Sequence, residues 1–494
     1  MKVIVRTASC VALLLTIPLT GCAVGPDYTR PTVQLPKAWS DAKGRQATKD
    51  AMPLAQWWRR LNDPLLNSLI EEAVQGNLDV AAAKARIREA RALQRQSVGA
   101  LFPQISASGS ATANRSAAGV ASESVVGATS YNQFQSGFDS AWELDLFGAN
   151  RRAVEAAAYN AAASEDDLRA TLLTLIGDVA SYYADARGYQ ARAALARRTA
   201  ISQRATAALT QKKLDAGSAS PVDTAKAVAQ AASTEANVPT YEASYKTAVH
   251  RLGVLLGRDP ATLAARMARA TPIPAPRLPL PTGIPADVLT VRPDVRKAER
   301  QLAQYTAKIG QAEAALYPDV SLSGSVSTTA LKLGDLGKNS TIGWSVGPSV
   351  SVPIFNGGKL RAAVEVAQAQ RDEYYVAWSS AVLTALEDVE NALVALAQEQ
   401  NRIRSLAEAA TRYGEAARLS RSLYESGSSS FLDVLDAERS QFSANDALLQ
   451  SRASVARDYV ALAKALGGGW DGAIDSSTPE IIDTQMGPHL ATGQ

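Results

Sequence analysis

The feature that most constrains this chain is that it writes its structural punctuation twice, at an offset of about 210 residues, as duplicated architectures do. Gly217-Ser-Ala-Ser-Pro-Val-Asp223 returns as Gly427-Ser-Ser-Ser-Phe-Leu-Asp433. Leu101-Phe-Pro-Gln-Ile-Ser106 returns as Leu316-Tyr-Pro-Asp-Val-Ser321, and Leu252 to Gly257 as Leu462 to Gly467. The order of elements is the same in both copies. Turns held in register through a duplication serve a symmetric shape, and a shape points to a conduit more than to a catalytic site.

Between these turns the hydrophobic period changes. From Gln104 onward Ile105, Ala107, Gly109 and Ala111 alternate with Ser106, Ser108, Ser110 and Thr112. Phe134, Ser136, Phe138, Ser140, Trp142 and Leu144 form a second alternating run, separated from the first by a small, polar loop from Ser116 to Ser130. The second copy repeats this with Val320, Leu322, Gly324 and Val326 and with Ile342, Trp344, Val346, Val350 and Val352. Period two with serine on one face predicts four strands with one greasy and one wet side, the pattern of a membrane barrel with a polar interior. Spanning barrels begin at about eight strands, so a four-strand contribution requires several chains to share one barrel.

Heptad spacing takes over after each strand pair. Leu168, Leu175, Tyr182 and Tyr189, with Leu172, Val179, Ala186 and Ala193, predict one coiled-coil seam. Val382, Val389, Leu396 and Ile403, with Leu386 and Leu393, predict its copy. A helix over 150–216 would run roughly 100 Å while its return over 222–256 covers about half of that. The helix from Leu65 to Ala100 has the length to complete the line.

The resulting organisation is a leader over 1–21, an extended N-terminal segment over 22–61 and a first repeat over 62–270. That repeat holds a helix, strands 104–116 and 131–145, long helix 150–216 and return helix 222–256. A proline-rich connector fills 271–285, where Thr271-Pro-Ile-Pro-Ala-Pro cannot be helical. The second repeat, 286–469, holds a helix, strands 319–329 and 341–353, long helix 358–426 and return helix 432–466, before a tail over 470–494.

The leader carries Lys2 and Arg6, an apolar run from Val11 to Leu19, and then Leu19-Thr-Gly-Cys22, which resembles a bacterial lipobox. That resemblance makes Cys22 the lipid attachment point and, with Ala23 where aspartate would mark retention in the inner membrane, implies sorting to the outer membrane. Because Cys10 falls inside the leader, a disulfide within the mature chain is excluded. Past the leader no stretch approaches the roughly eighteen apolar residues of a spanning helix. The whole chain has 51 Lys and Arg against 48 Asp and Glu, a balance that argues against a nucleic-acid partner. Two distant histidines, His250 and His489, offer no metal-ligand spacing and little material for histidine catalysis. No catalytic or metal site is expected.

These residues and their order, together with Gly25-Pro-Asp-Tyr28, Trp57-Trp58, Ile284-Pro-Ala-Asp-Val-Leu289, Arg292-Pro-Asp294 and Val434-Leu-Asp-Ala-Glu438, resemble the TolC-like outer-membrane efflux factors. The resemblance is to the lipoprotein branch, of OprM/NodT type, that serves resistance-nodulation-division pumps. It implies a mixed α and β fold: a homotrimer with one twelve-stranded transmembrane β-barrel, four strands per chain, continued by a periplasmic α-helical coiled-coil barrel. It implies an outer-membrane, lipid-anchored location in a Gram-negative envelope, passive export of small toxic compounds, and no cofactor beyond the covalent lipid on Cys22, palmitate included. The implied partners are a periplasmic adaptor (membrane fusion) protein and a resistance-nodulation-division transporter.

Residue by residue, the resemblance makes Gly217, Ser218, Ala219 and Ser220, with Gly427, Ser428, Ser429 and Ser430, the adaptor-facing tips. Asp433 and Asp436, three apart and so on one helix face, become acidic rings at the pore entrance. Capping their own helix is the plainer role for such acids. Asp223 and Tyr424 match positions whose hydrogen bonds help close the entrance, although serine replaces the family's frequent arginine near the tip. Two other readings fit the sequence less well: a lipid-anchored periplasmic scaffold or adhesin, and a duct for type I protein secretion.

Overall fold

The computed structural model describes residues 23–33, 36, 38–40, 54–115, 130–276 and 291–478. The leader, Cys22, most of the polar loop after the first strand, the later part of the connector and the end of the tail lie outside these residues. In chain order the main elements are α1 (Pro64–Gly76), α2 (Leu78–Gly99), β1 (Gln104–Arg115), β2 (Ser130–Glu143), α3 (Ala149–Asp215), α4 (Pro221–Glu235), α5 (Asn237–Leu255), α6 (Pro293–Ala314), β3 (Asp319–Ala330), β4 (Ile342–Ser351), α7 (Lys359–Glu425) and α8 (Phe431–Ala465). The chain forms two compact units, one of residues 1–31, 89–163 and 298–378, the other of 32–88, 164–297 and 379–494.

The first unit holds one four-stranded sheet in the order β1-β2-β3-β4, antiparallel throughout. Its register sorts the residues by face. Ala107, Phe138, Val326 and Trp344 lie in one row across all four strands, and Ser106, Asp139, Ser325 and Ser345 in the adjoining row on the opposite face. Two strands end earlier than expected. β2 stops at Glu143 because Asp145 turns the chain, its carboxylate accepting from the amides of Asn150 (3.1 Å) and Arg151 (2.9 Å). β4 stops at Ser351, two residues before Pro353, which has no N–H for a ladder.

In the same unit the Gly25-Pro-Asp-Tyr28 segment is clasped by the buried Arg152. Its Nε donates to Val24 O (3.1 Å), and its Nη2 to Gly25 O (3.1 Å) and Asp27 Oδ1 (2.8 Å). Gly25 sits at φ +86°, so close to Gly310 that a Cβ would lie 2.3 Å from the Gly310 Cα. Only glycine combines that conformation with that approach.

The second unit packs around Trp57, Trp58, Leu66, Leu69 and Ile70, against Ile176, Val179 and Tyr183 of α3, Leu252 of α5, Val389 and Leu396 of α7, and Tyr459 and Val460 of α8. On α3 the expected seam is buried at most of its positions. Leu168, Leu172, Leu175, Val179, Ala186 and Ala193 are buried as expected, Ile176 and Tyr183 join them in the stripe, and Tyr182 is exposed. Ile176 and Tyr183 keep the spacing of four and three beside Leu172, Val179 and Ala186, so the buried face is wider than a single seam. Tyr183 reaches its place with its hydroxyl satisfied, donating to Asp63 Oδ2 at 2.6 Å.

Two helices expected to be continuous are broken. The first breaks between α1 and α2 at Asn77, whose side chain accepts from the amides of Asp79 (2.8 Å) and Val80 (3.1 Å) and donates to Leu255 O (2.8 Å). Asn77 thereby restarts the helix as an N-cap, and its neighbour Gly76 lets the Leu256 carbonyl approach within 2.7 Å of where a Cβ would stand. The return helix expected over 222–256 breaks at Ala236 into α4 and α5. Pro239 has no N–H for the carbonyl four residues back, and the Asn237 side chain instead donates to Ser233 O (3.1 Å).

Candidate functional site

Two features carry function, one in each unit. In the first, the apolar face of the sheet is open: Ile105 and Trp344 are each 74% exposed and Phe138 63%. Large apolar side chains in rows on one face, opposite rows of serine and other small or polar residues, suit a sheet that has hydrocarbon on one side and water on the other. Among the described residues, no helix is long and apolar enough to cross a membrane.

In the second unit the two helical turns are built alike. Gly217 at φ 74° lets the amide of Ser218 reach the Lys213 carbonyl (2.7 Å), and Gly427 at φ 82° lets Ser428 reach Leu423 (2.8 Å). Both are glycine-centred helix ends that satisfy the last carbonyls. Each is followed by a serine that starts the next helix through a capping box. Ser220 Oγ accepts from the Asp223 amide (3.2 Å) while the Asp223 carboxylate accepts from the Ser220 amide (3.3 Å) and hydroxyl (2.8 Å). Ser430 and Asp433 do the same at 3.4, 3.0 and 2.8 Å. The remaining tip residues, Ala219 and Ser429, are half-buried, and Ser429 Oγ donates to Ser420 O (3.4 Å).

Asp433 is thus engaged by its own helix, whereas Asp436, one turn on, stands exposed on the same face. Asp223 and Tyr424 have separate partners. Tyr424 is buried, its hydroxyl donating to Thr210 Oγ1 (3.2 Å) and its ring meeting Phe431 edge-on at 5.9 Å. Lys213 Nζ donates to the Tyr424 carbonyl (2.7 Å) and lies 4.7 Å from the ring centroid.

Close by in sequence is a polar knot that no spacing in the sequence assembles. Glu438 is buried and pairs with Arg421; its Oε1 also accepts from Thr206 Oγ1 at 2.9 Å, and Arg421 Nη2 donates to Ser202 Oγ at 2.7 Å. Three helices, α3, α7 and α8, meet in this one network. A second clasp joins α3, α5 and α8: Arg192 holds both oxygens of Asp446 at 2.8 Å and donates to Tyr241 OH at 3.2 Å. Burial, followed by the charge of Asp446, raises the Tyr241 phenol above its ordinary pKa. The visible signal for the first knot was a glutamate inside the apolar stripe Val434-Leu435-Ala437, and a charge there needs a partner. Among the described residues no group of His, Cys, Asp and Glu could hold a metal ion.

A sheet with an open apolar face and duplicated helical hairpins fit the class of outer-membrane channel proteins. The model of the outer membrane efflux protein family matches residues 69–258 and 284–468, one stretch per repeat, and the chain belongs to that family. It is 37% identical over 459 residues to nodulation protein T of Rhizobium leguminosarum bv. trifolii, covering 92% of this chain and 96% of the relative. It is 32% identical to the solvent efflux pump outer membrane protein SrpC of Pseudomonas putida, with coverage of 92% and 96%. Among solved structures, the outer-membrane channel OprN superposes with a TM-score of 0.85 at 36% identity, over 91% of this chain and all of that one. The fold is therefore the TolC-like channel fold, mixed α and β, and the protein is an outer-membrane efflux channel of the Gram-negative envelope. These relatives are channels rather than enzymes.

Proposed function

We propose that three copies of this chain form one passive exit duct, each giving four strands to a twelve-stranded barrel, with the helices continuing it as a tunnel through the periplasm. The observation that carries this reading is the four-stranded antiparallel sheet whose apolar face is open and whose first and last strands are both edges. Four strands are too few to close, and the chain's own family is one of efflux channels.

In this reading a periplasmic adaptor grips the tips at Gly217 to Ser220 and Gly427 to Ser430, and a resistance-nodulation-division transporter loads the duct. The cargo is small toxic compounds, in keeping with a relative named for solvent efflux. A lipid on Cys22 anchors the chain; no other cofactor is needed. Asp436 lines the entrance in triplicate and draws cations toward it, while Asp433 divides its charge between the entrance and its helix cap. Tyr424 and Asp223 hold the closed entrance indirectly, by fixing the tips from which it is built. No side chain performs chemistry.

Single-channel conductance in planar bilayers tests this. Discrete conductance is expected, with a cation preference that falls in Asp436→Ala and falls less in Asp433→Asn. Conductance with a preference indifferent to Asp436 would remove the acidic ring and leave the duct. Absence of channels in a correctly folded trimer would remove the duct.

A further inference from the structure

The chain contains its own template for the contact between copies. At the foot of the β2–β3 seam, Phe147 just after β2 stacks on Tyr317 just before β3, with ring centroids 4.6 Å apart and planes within 17°. The ladder reaches almost to this stack, since the Leu144 amide donates to Val320 O at 2.7 Å. The duplication supplies a second copy of both partners. Phe355 follows β4 as Phe147 follows β2, and Phe102 precedes β1 in Leu101-Phe-Pro as Tyr317 precedes β3 in Leu316-Tyr-Pro.

Within one chain these counterparts are bare: Phe355 is 91% exposed, the adjacent Ile354 93%, and Phe102 62%. They lie beside the two strands, β4 and β1, that form the edges of the sheet. An exposed aromatic next to each open edge is a liability in water unless something covers both.

In the shared barrel proposed above β4 of one copy necessarily meets β1 of the next; we infer that this seam repeats the aromatic contact of the seam within the chain, Phe355 stacking on Phe102 of the neighbouring copy. The occupant of this surface is a second copy of this chain, because the β2–β3 seam already displays the same motif pair satisfied. Face alternation narrows the register further: only pairings that put Trp344 on the same side as Ile105 keep the apolar rows continuous around the barrel. Phe102 and Phe355 then act as positioning residues that seat the two edges before the ladder closes. The inference rests on the shared barrel proposed above and adds the residues that join it.

The test is cysteine cross-linking of the full-length protein in outer membranes with a short bismaleimide. Phe102→Cys/Phe355→Cys is expected to give a ladder of covalent dimers and trimers, with each single variant alone giving none. Co-expression of the two single variants as separate chains should give dimers. The control pair Phe147→Cys/Tyr317→Cys should link within one chain, with no ladder. Phe355→Ala should lower the temperature at which the detergent-resistant trimer dissociates, whereas Phe102→Tyr, which copies the internal stack, should hold it. A trimer in which the control pair links but Phe102→Cys/Phe355→Cys does not would overturn the seam and leave the duct standing. A chain that stays monomeric by light scattering and conducts no current would overturn both.

Discussion

The two hairpins share their turns and differ in what lies behind them. At the second tip, Tyr424, Phe431, Val434 and Leu435 supply the large side chains of a small core to which the first hairpin gives the buried Ala207 and Ala227, and the Glu438–Arg421 pair, with Thr206 on Glu438, ties it to α3. At the positions offset by 210 residues the first tip has Leu214, Pro221, Thr224 and Ala225, with Val228 and Gln211 where the ion pair stands. The return helices differ as well: α8 runs unbroken for 35 residues, whereas its counterpart is interrupted at Ala236 before Pro239. Duplication has conserved the geometry of reversal, which few sequences satisfy, and let the packing diverge, which many do. The second tip is a fastened element, and the first is a thin one with a joint in its stem.

Removing the fastening should have the largest effect. Arg421→Ala leaves the Glu438 carboxylate buried with Thr206 as its remaining partner, and should weaken the second tip by about 3 kcal/mol. The offset change Gln211→Ala, at an exposed position, should stay within about 0.5 kcal/mol. Hydrogen exchange at the first turns of α8 and α4 measures both, and equal losses would erase the contrast between the tips.

Next in size are the glycines, which should behave alike. Both Gly217 and Gly427 have positive φ with nothing within 4 Å of an added Cβ, so alanine costs only the left-handed conformation, about 1 kcal/mol at either site. Thermal melting of the two variants checks this, and a difference above about 1 kcal/mol would mean that the turns are not equivalent after all.

The smallest effect concerns pH, at the other end of the return helices. After Gly257 the chain is fastened by Arg258 and Arg266 on Glu72, at 3.1 and 2.8 Å; after Gly467 it is fastened by the Trp57 indole donating to Gly468 O at 3.1 Å. The Arg266 hydrogen bond holds Glu72 below the usual carboxylate range. A depressed native pKa contributes stability that is complete at neutral pH and is lost as pH falls through the native value. Melting temperature should therefore decline once pH falls below the ordinary glutamate value, about 4.3, by a margin that Glu72→Gln removes, while Trp57→Phe changes stability equally at all pH.

The sheet was the most legible part of the chain. Alternation of Ile105, Ala107 and Gly109 with serines fixes a face for every residue, and the observed rows follow it. The turns were legible too, because Gly217 and Gly427 stand where helices end. Less legible were the joints at Asn77 and Ala236, since helical periodicity runs straight through them and only Asn77 and Pro239 mark the break. The Ser220-x-x-Asp223 and Ser430-x-x-Asp433 boxes were present as local patterns, but acids shared between a cap and an entrance cannot be apportioned by spacing. The Glu438 knot was hidden for another reason: Ser202, Thr206, Arg421 and Glu438 meet only when three helices pack, and no periodicity relates positions on separate helices.

The alternation in the strands also bears on how the chain is delivered. An exported polypeptide must pass a translocon that diverts any sufficiently long apolar stretch sideways into the inner membrane. Small or polar residues at every second position keep each strand of 10 to 14 residues too polar, on average, to be diverted, while still presenting a lipid-compatible face once the strands pair. Its affinity for lipid is thus latent in the nascent chain and emerges only with pairing, so the barrel can form in the second membrane without being trapped in the first.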